Sequence, residues 1–140
     1  MRRLWGPALA SLALAACDGS NVAPHVTAAT ADQSSVVVTD CGTFDLPVGE
    51  GLPDAAARCL IEAVQAGHSA RLTVTRPSVE GDPIPVTYTA GADRRVEVRT
   101  DLRQDRFGAR VVTRQTCTGP VFTGRGLDFG RCSESTPVPK

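Results

Sequence analysis

The hydrophobic period changes once along this chain, from 3.6 residues to 2, and that change constrains the fold more than any other feature. Pro53 and Asp54 open a helix, with Asp54 placed to accept the free amide hydrogens of the first turn. Ala56, Cys59, Leu60, Ala63 and Val64 then recur at three- and four-residue steps and give the helix one apolar face. Gly67 ends it, because glycine takes the left-handed conformation without a Cβ penalty. Beyond Gly67, polar and apolar residues alternate in Arg71–Thr75, Ile84–Thr89 and Arg95–Arg99, the pattern of half-buried strands. A fourth run, Arg110–Thr116, is rich in β-formers, and Gly91-Ala92-Asp93 suits a hairpin turn. Pro85 has no amide hydrogen to donate, which places its strand at an edge or on a bulge.

The alternation sorts these residues onto two faces. One carries Leu72, Val74, Ile84, Val86, Tyr88, Val96 and Val98, and the helix is expected to cover it. The other carries Arg71, Thr73, Thr75, Thr87, Thr89, Arg95, Glu97 and Arg99. The chain therefore reads as α+β: a strand or extended segment, one helix, then an antiparallel meander of about four strands on which the helix packs. That order resembles the cystatin-like arrangement of a helix wrapped by a sheet. The resemblance is one of element order, and no inhibitor motif accompanies it.

Five cysteines are present: Cys17, Cys41, Cys59, Cys117 and Cys132. The last four form an even set inside the folded region, as a disulfide framework in an exported protein requires. Cys41–Cys59 would tie the segment before the helix to its second turn, and Cys117–Cys132 would close a Gly-rich excursion with Gly119, Gly124, Gly126 and Gly130. Each loop is short enough for a stabilisation of about 3 kcal/mol in the chain-entropy model. The rival, Cys59–Cys117, would staple the helix to the last strand across the core, and spacing alone leaves both open. No C-x-x-C occurs and no His stands at ligand spacing, so these cysteines do not read as metal ligands.

Cys17 has a different reading. Arg2 and Arg3 precede a short apolar stretch, Leu4 to Ala13, too short to span a bilayer of about 30 Å and typical of a signal peptide. Leu14-Ala15-Ala16-Cys17 resembles the lipobox of bacterial lipoproteins. That resemblance implies cleavage after residue 16, a diacylglycerol thioether on Cys17 and acylation of the new amino terminus. More than one acyl chain is what stable anchoring needs. The expected organisation is a signal peptide over 1–16, lipidated Cys17 and a flexible linker over 17–40, an α+β domain over 41–132, and a disordered tail over 133–140. The mature protein would sit on the outer face of the cell membrane.

Loss of Arg2 and Arg3 with the leader turns 15 Lys+Arg against 15 Asp+Glu into 13 against 15, a formal net charge of about −2. There is no basic excess and there are few aromatics to stack on bases, so nucleic acid is not an expected partner. The only histidines are His25, in the linker, and His68, just after the helix. G-x-S-x-G, a P-loop and H-E-x-x-H are all absent, and no cofactor is implied.

Candidate contact residues lie in two acidic loops. Glu80 and Asp82 leave the sheet before the second meander strand, and Asp101 and Asp105 leave it after the third. If both loops project from one end, four carboxylates converge, a donor set that suits Ca²⁺. The plainer reading uses Asp82 to cap a turn before Pro83, Asp101 to bind loop amides, and Glu80 and Asp105 to pair with Arg103 or Arg106. This plainer reading assigns no metal. Glu80-Gly81-Asp82-Pro83-Ile84, the D-x-x-x-D-x-F-G segment Asp101–Gly108, and Thr116-Cys117 together resemble a domain of small lipoproteins from Gram-positive bacteria. The resemblance spans about Leu72 to Cys117. It implies an extracytoplasmic lipoprotein domain and carries no activity with it.

The expectation is thus a non-catalytic binding or accessory module of the cell envelope, with the membrane, an envelope protein or a wall polymer as partners. Arg71, Arg95 and Arg99 offer a second surface, for an anionic polymer or headgroup, although such a face is commonly the solvated side of a sheet. One alternative is a small hydrolase using the loop carboxylates, which needs a cleft uniting all four. Another is an inhibitor-like protein that uses its loops as a wedge. It requires exposed, apolar loop tips, and the charge of these loops ranks it last.

Overall fold

The computed structural model describes residues 37–139. The signal peptide, Cys17 and most of the linker lie outside the described residues. The folded part is α+β, with one helix and a mostly antiparallel sheet. In chain order the elements are β1 (Thr39–Asp45), α1 (Asp54–Ala66), β2 (Ala70–Pro77), β3 (Pro83–Ala90), β4 (Val96–Asp101), β5 (Val112–Phe122), β6 (Leu127–Cys132) and β7 (Thr136–Pro137). The sheet runs β1-β2-β3-β4-β5-β6, and β7 pairs with β5. It has seven strands where the alternation predicts about four.

The helix starts and ends where its sequence signals place it, with one correction at the start. Pro53 takes the cap position and no side chain caps the first turn. Asp54 is instead the first helical residue, where its charge meets the positive end of the helix dipole and pairs with Arg58 one turn on. At the other end Gly67 has φ 70°, its amide donates to Val64 O, and His68 N donates to Ala63 O at 2.9 Å. Those two bonds satisfy carbonyls that the helix leaves open. Because α1 connects β1 to β2, these two strands run parallel, the one parallel pair in the sheet.

The register confirms the two expected faces. Ala70, Ala90, Val96 and Cys117 form one row across β2, β3, β4 and β5, all fully buried or nearly so. Leu72, Tyr88 and Val98 form the next row, and Val74 lies opposite Val86. Ala56, Ala57, Leu60, Ala63 and Val64 of α1 pack down on this face. Pro85 lies in an interior strand, but at the stretch where the β3–β4 ladder has not begun: that ladder starts at Val86 opposite Thr100. The edge or bulge expectation is therefore corrected: β3 is an interior strand, and the proline is tolerated because it lies before the first β4 partner.

Both disulfides are the short-range ones, Cys41–Cys59 and Cys117–Cys132. The second joins residues directly opposite each other in β5 and β6. What reads in the sequence as a Gly-rich excursion is this hairpin. Gly119 and Gly130 lie close together between the Thr118–Arg131 and Pro120–Phe129 pairs, and Gly119 has φ 64°, a conformation that only glycine adopts freely. The hairpin bends there and doubles back over the inner face. Phe129 stacks on Tyr88 at 6.1 Å between ring centres, and Phe122 and Leu127 join the core. Its tip reaches the far side: Leu52 N and Arg76 Nη2 both donate to Arg125 O, at 2.9 and 2.8 Å. Arg76 Nη1 also donates to Glu50 O at 3.0 Å, so one guanidinium clamps the β1–α1 loop and the hairpin tip together.

The terminal segments are also more ordered than expected. β1 begins at Thr39, inside the stretch read as linker. Of the tail expected to be disordered over 133–140, the described residues 133–139 return along β5 instead. Ser133 N donates to Thr116 O, Val138 N donates to Val112 O, and β7 pairs with Thr113 and Arg114. The physical reason is an open edge: β6 covers β5 only from Cys117 onward, leaving its first half with free amides and carbonyls.

Candidate functional site

The topology brings three connections to one end of the sheet: the β1–α1 loop (46–53), the β2–β3 turn (78–82) and the β4–β5 loop (102–111). β1 enters at the opposite end, at Thr39. Both acidic loops do project from the same end, and one pair links them directly. Asp82 is buried to 8 % exposure, and its carboxylate accepts Arg106 N at 3.0 Å and Arg106 Nε at 2.8 Å.

The four carboxylates do not converge. Asp101 accepts the amide of Arg103 at 3.0 Å and holds its guanidinium as well. Asp105 Oδ1 accepts Phe107 N at 3.0 Å and Gly108 N at 2.9 Å. Glu80 accepts the Ser78 hydroxyl at 3.2 Å, and that hydroxyl accepts Glu80 N and Asp82 N in turn. The structural roles are those of the plainer reading with the partners exchanged: Asp82 takes the arginine, Asp105 takes the amides, and Glu80 pairs with a serine. Among the described residues no three His, Cys, Asp or Glu side chains are grouped to hold a cation.

These bonds explain the two motifs physically. In Asp105-x-Phe107-Gly108 the carboxylate folds back onto its own loop, and a Cβ on residue 108 would meet it and force it to move. In Glu80-Gly81-Asp82-Pro83 the turn closes through Ser78 N to Asp82 O at 2.7 Å, which delivers Asp82 to Arg106.

Hydrogen bonding sets the acid–base behaviour. The Arg106 amide, then its guanidinium, hold the Asp82 carboxyl below its usual value against the opposing effect of burial. The Arg103 guanidinium, then its amide, do the same for Asp101. A carboxylate with a depressed folded value stabilises the fold above its unfolded value, about 3.9, and loses that contribution as pH falls through the folded one. The melting temperature should therefore drop below about pH 4. Asp82→Asn and Asp101→Asn should each flatten that acid limb, read by thermal melts between about pH 3 and pH 7. An unchanged limb in both variants would contradict the assignment.

With the four carboxylates engaged by their own loops or the neighbouring one, apolar side chains stand exposed on all three connections. Val48 in the first connection is 86 % exposed, Val79 in the second 100 % and Phe107 in the third 75 %. A groove of about 470 Å³ opens at the same end, with Leu46, Pro47, Pro77 and Pro83 among its walls. Sequence reasoning missed this surface because it counted the charges of the loops and not their direction. The signal available was the Asp-x-Phe-Gly spacing, which turns the acid inward and leaves the phenylalanine outside. Sequence reasoning names Arg106 as an ion-pair partner but for Glu80 or Asp105 and not for Asp82, and it misses Arg76, which nothing local distinguishes from a solvated arginine. No protein-family model, curated protein or solved structure matches this chain.

Proposed function

We propose that this protein is a membrane-anchored extracytoplasmic lipoprotein of the kind found in Gram-positive bacteria, anchored through Cys17, and that it acts as a non-catalytic binding or accessory module of the cell envelope. One observation carries the binding reading: Val48, Val79 and Phe107 stand exposed on three neighbouring connections at one end of the sheet. Two of those connections are fixed by internal bonds, so little conformational freedom is lost when a partner docks. Aromatic and arginine side chains are enriched at protein contacts, and Phe107 has Arg103, Arg106 and Arg110 within three or four residues on its own loop. The partner is then a protein with an apolar pocket and acidic surroundings. In support of the anchor, the Leu-Ala-Ala-Cys pattern stands beside the fact that the four other cysteines are used up in two bridges.

The same observation favours a second reading, the inhibitor-like protein. That reading requires exposed apolar loop tips, and Val79 and Phe107 supply them. The hydrolase alternative gains no such support. Of the four carboxylates, each is bonded within its own loop or to the neighbouring one, and none faces another across a cleft.

The test is a photoreactive side chain placed at position 107 in intact cells, with position 58 on the exposed side of α1 as control. We expect one envelope protein to be captured from 107 and not from 58, and Val79→Ser to reduce its yield. Equal labelling from both positions would overturn the reading. Cys17→Ser should move the protein from the membrane to the soluble fraction; continued membrane association would remove the anchor.

A further inference from the structure

We propose that the outer face of the sheet binds a linear polyanion bearing phosphate groups, in a trough that runs from the β1–β2 edge to the C-terminal strand. Three adjoining hollows form this trough. The first, beside β1, includes Arg71 and Thr73. The second shares Arg71 and adds Thr87, Thr89 and Arg99. The third shares Arg99 and Arg103 and adds Arg110 and Val138. The trough shares Arg103 and Arg110 with the loop that carries Phe107, while its Arg71–Arg99 part lies on the strands and does not depend on what the loop tips contact.

The charge along this line is unbalanced. Asp101 is engaged by Arg103, Glu97 lies 3.8 Å from Arg114, and Asp40 accepts Gly42 N. Arg71, Arg99 and Arg110 have no ion pair among the described residues. Arg99 also stands directly opposite Arg114 in the β4–β5 ladder, a like-charge pairing that destabilises a sheet unless an anion lies between. Arg110 is held at φ 53°, a conformation unfavourable for any residue with a side chain, where glycine would be relaxed. The like-charge pairing and the Arg110 backbone each cost stability in the free protein, and a bound anion offsets the first of these.

Geometry selects an extended ligand. Arg71 pairs with Thr89 and Arg99 with Thr87, so the two arginines are two strands and two residues apart, roughly 12 Å at Cα. Both side chains line the middle hollow, and Arg110 lines the next one along, so successive groups on a chain can meet the three arginines in turn. Guanidinium forks bind phosphate oxygens in pairs, and the hydroxyls of Thr73, Thr87 and Thr89 between them supply neutral donors. No aromatic residue lines the three hollows, so there is no platform for stacking bases, and the charged backbone of the polymer is what is recognised. A concave track also suits a flexible chain in solution better than the flat surface of a bilayer.

The experiment titrates the full chain carrying Cys17→Ser, which removes the acyl anchor, with soluble linear polyphosphate, and separately with vesicles of anionic phospholipid and with polyglutamate. Binding of polyphosphate is expected, weakened tenfold or more in Arg71→Gln/Arg99→Gln. The slope of log K against log salt should fall by about 0.7–0.9 for each arginine–phosphate pairing removed, as it does for nucleic-acid phosphates. Glu97→Gln should strengthen binding, and Phe107→Ser should leave it unchanged. These substitutions are on the surface, and circular dichroism checks the fold of each. Equal affinity in the double variant overturns the proposal. So does equal binding of polyglutamate, which would make the site a general anion surface, or binding of vesicles without polyphosphate, which would make the ligand a membrane.

Discussion

Replacing both Cys117 and Cys132 with alanine is expected to lower stability by about 3 kcal/mol, which at this domain size is a fall in melting temperature of roughly 12–24 °C. The bridge closes a sequence separation of 15 residues, so its removal frees the unfolded chain by the full loop-closure term. It also sits at the base of the β5–β6 hairpin, two residues before the Gly119–Gly130 bend that folds the hairpin over the core. Cys117 is completely buried opposite Val96, and a truncation there leaves a void in the row that joins four strands. Cys41–Cys59 spans 18 residues, and since the cost varies only with the logarithm of length, Cys41→Ala/Cys59→Ala should lose a similar amount. Urea unfolding of both double variants reads these losses. A loss under about 1 kcal/mol at Cys117–Cys132 would mean that the hairpin holds its place through Phe122, Leu127 and Phe129 alone.

The elements that could be read from the sequence are those whose signals are local. The helix has a periodic face and a terminal glycine, and three of the meander strands alternate over five or six residues, so α1, β2, β3 and β4 stand close to where the pattern puts them. β1 is expected only as a strand or extended segment without bounds, and β6 and β7 could not be found that way. β1 is interrupted by Gly42, where its register with β2 shifts, so no clean alternation survives. β6 lies among glycines that read as a loop, although Phe122 and Leu127 bracket a four-residue connection closed by Thr123 N to Gly126 O. β7 is two residues containing a proline, and it is a strand only because β5 offers it an open edge.

The candidate site divides along the same line. That the two acidic loops share an end follows from strand order, and the motifs marked them. Which way each side chain turns does not follow from order. Asp82 faces in because Ser78 closes the turn beneath it, and Asp105 faces in because the amides of Phe107 and Gly108 bind its carboxylate where residue 108 leaves room. Both directions depend on hydrogen bonds to amides that composition cannot rank. The consequence is an exchange of roles, in which the conspicuous carboxylates become scaffold and the less conspicuous Val79 and Phe107 become the exposed surface.

Leu60→Ala is expected to cost more than any other single substitution on the helix, toward the upper part of the 2–5 kcal/mol seen for buried leucines (about 4 kcal/mol). The buried residues of α1 are Ala56, Ala57, Leu60, Ala63 and Val64. Three of the five are alanines, which let the helix approach the sheet closely but leave Leu60 as the one large side chain it contributes. Leu60 has no exposed surface and belongs to the same cluster as Leu72, Val74, Val96 and Cys117. Its removal leaves a void that flanking alanines cannot fill and that two disulfides prevent the backbone from closing. Leu60→Met keeps the volume and should cost less than about 1.5 kcal/mol. In urea the midpoint should move while the slope stays fixed, because the surface exposed on unfolding barely changes. Where the Leu60→Ala variant is still folded, in the cold and without urea, its outer face is untouched, so polyphosphate affinity should equal that of the parent chain. A joint loss of stability and of binding by the folded variant would show that the trough depends on how the helix seats behind it.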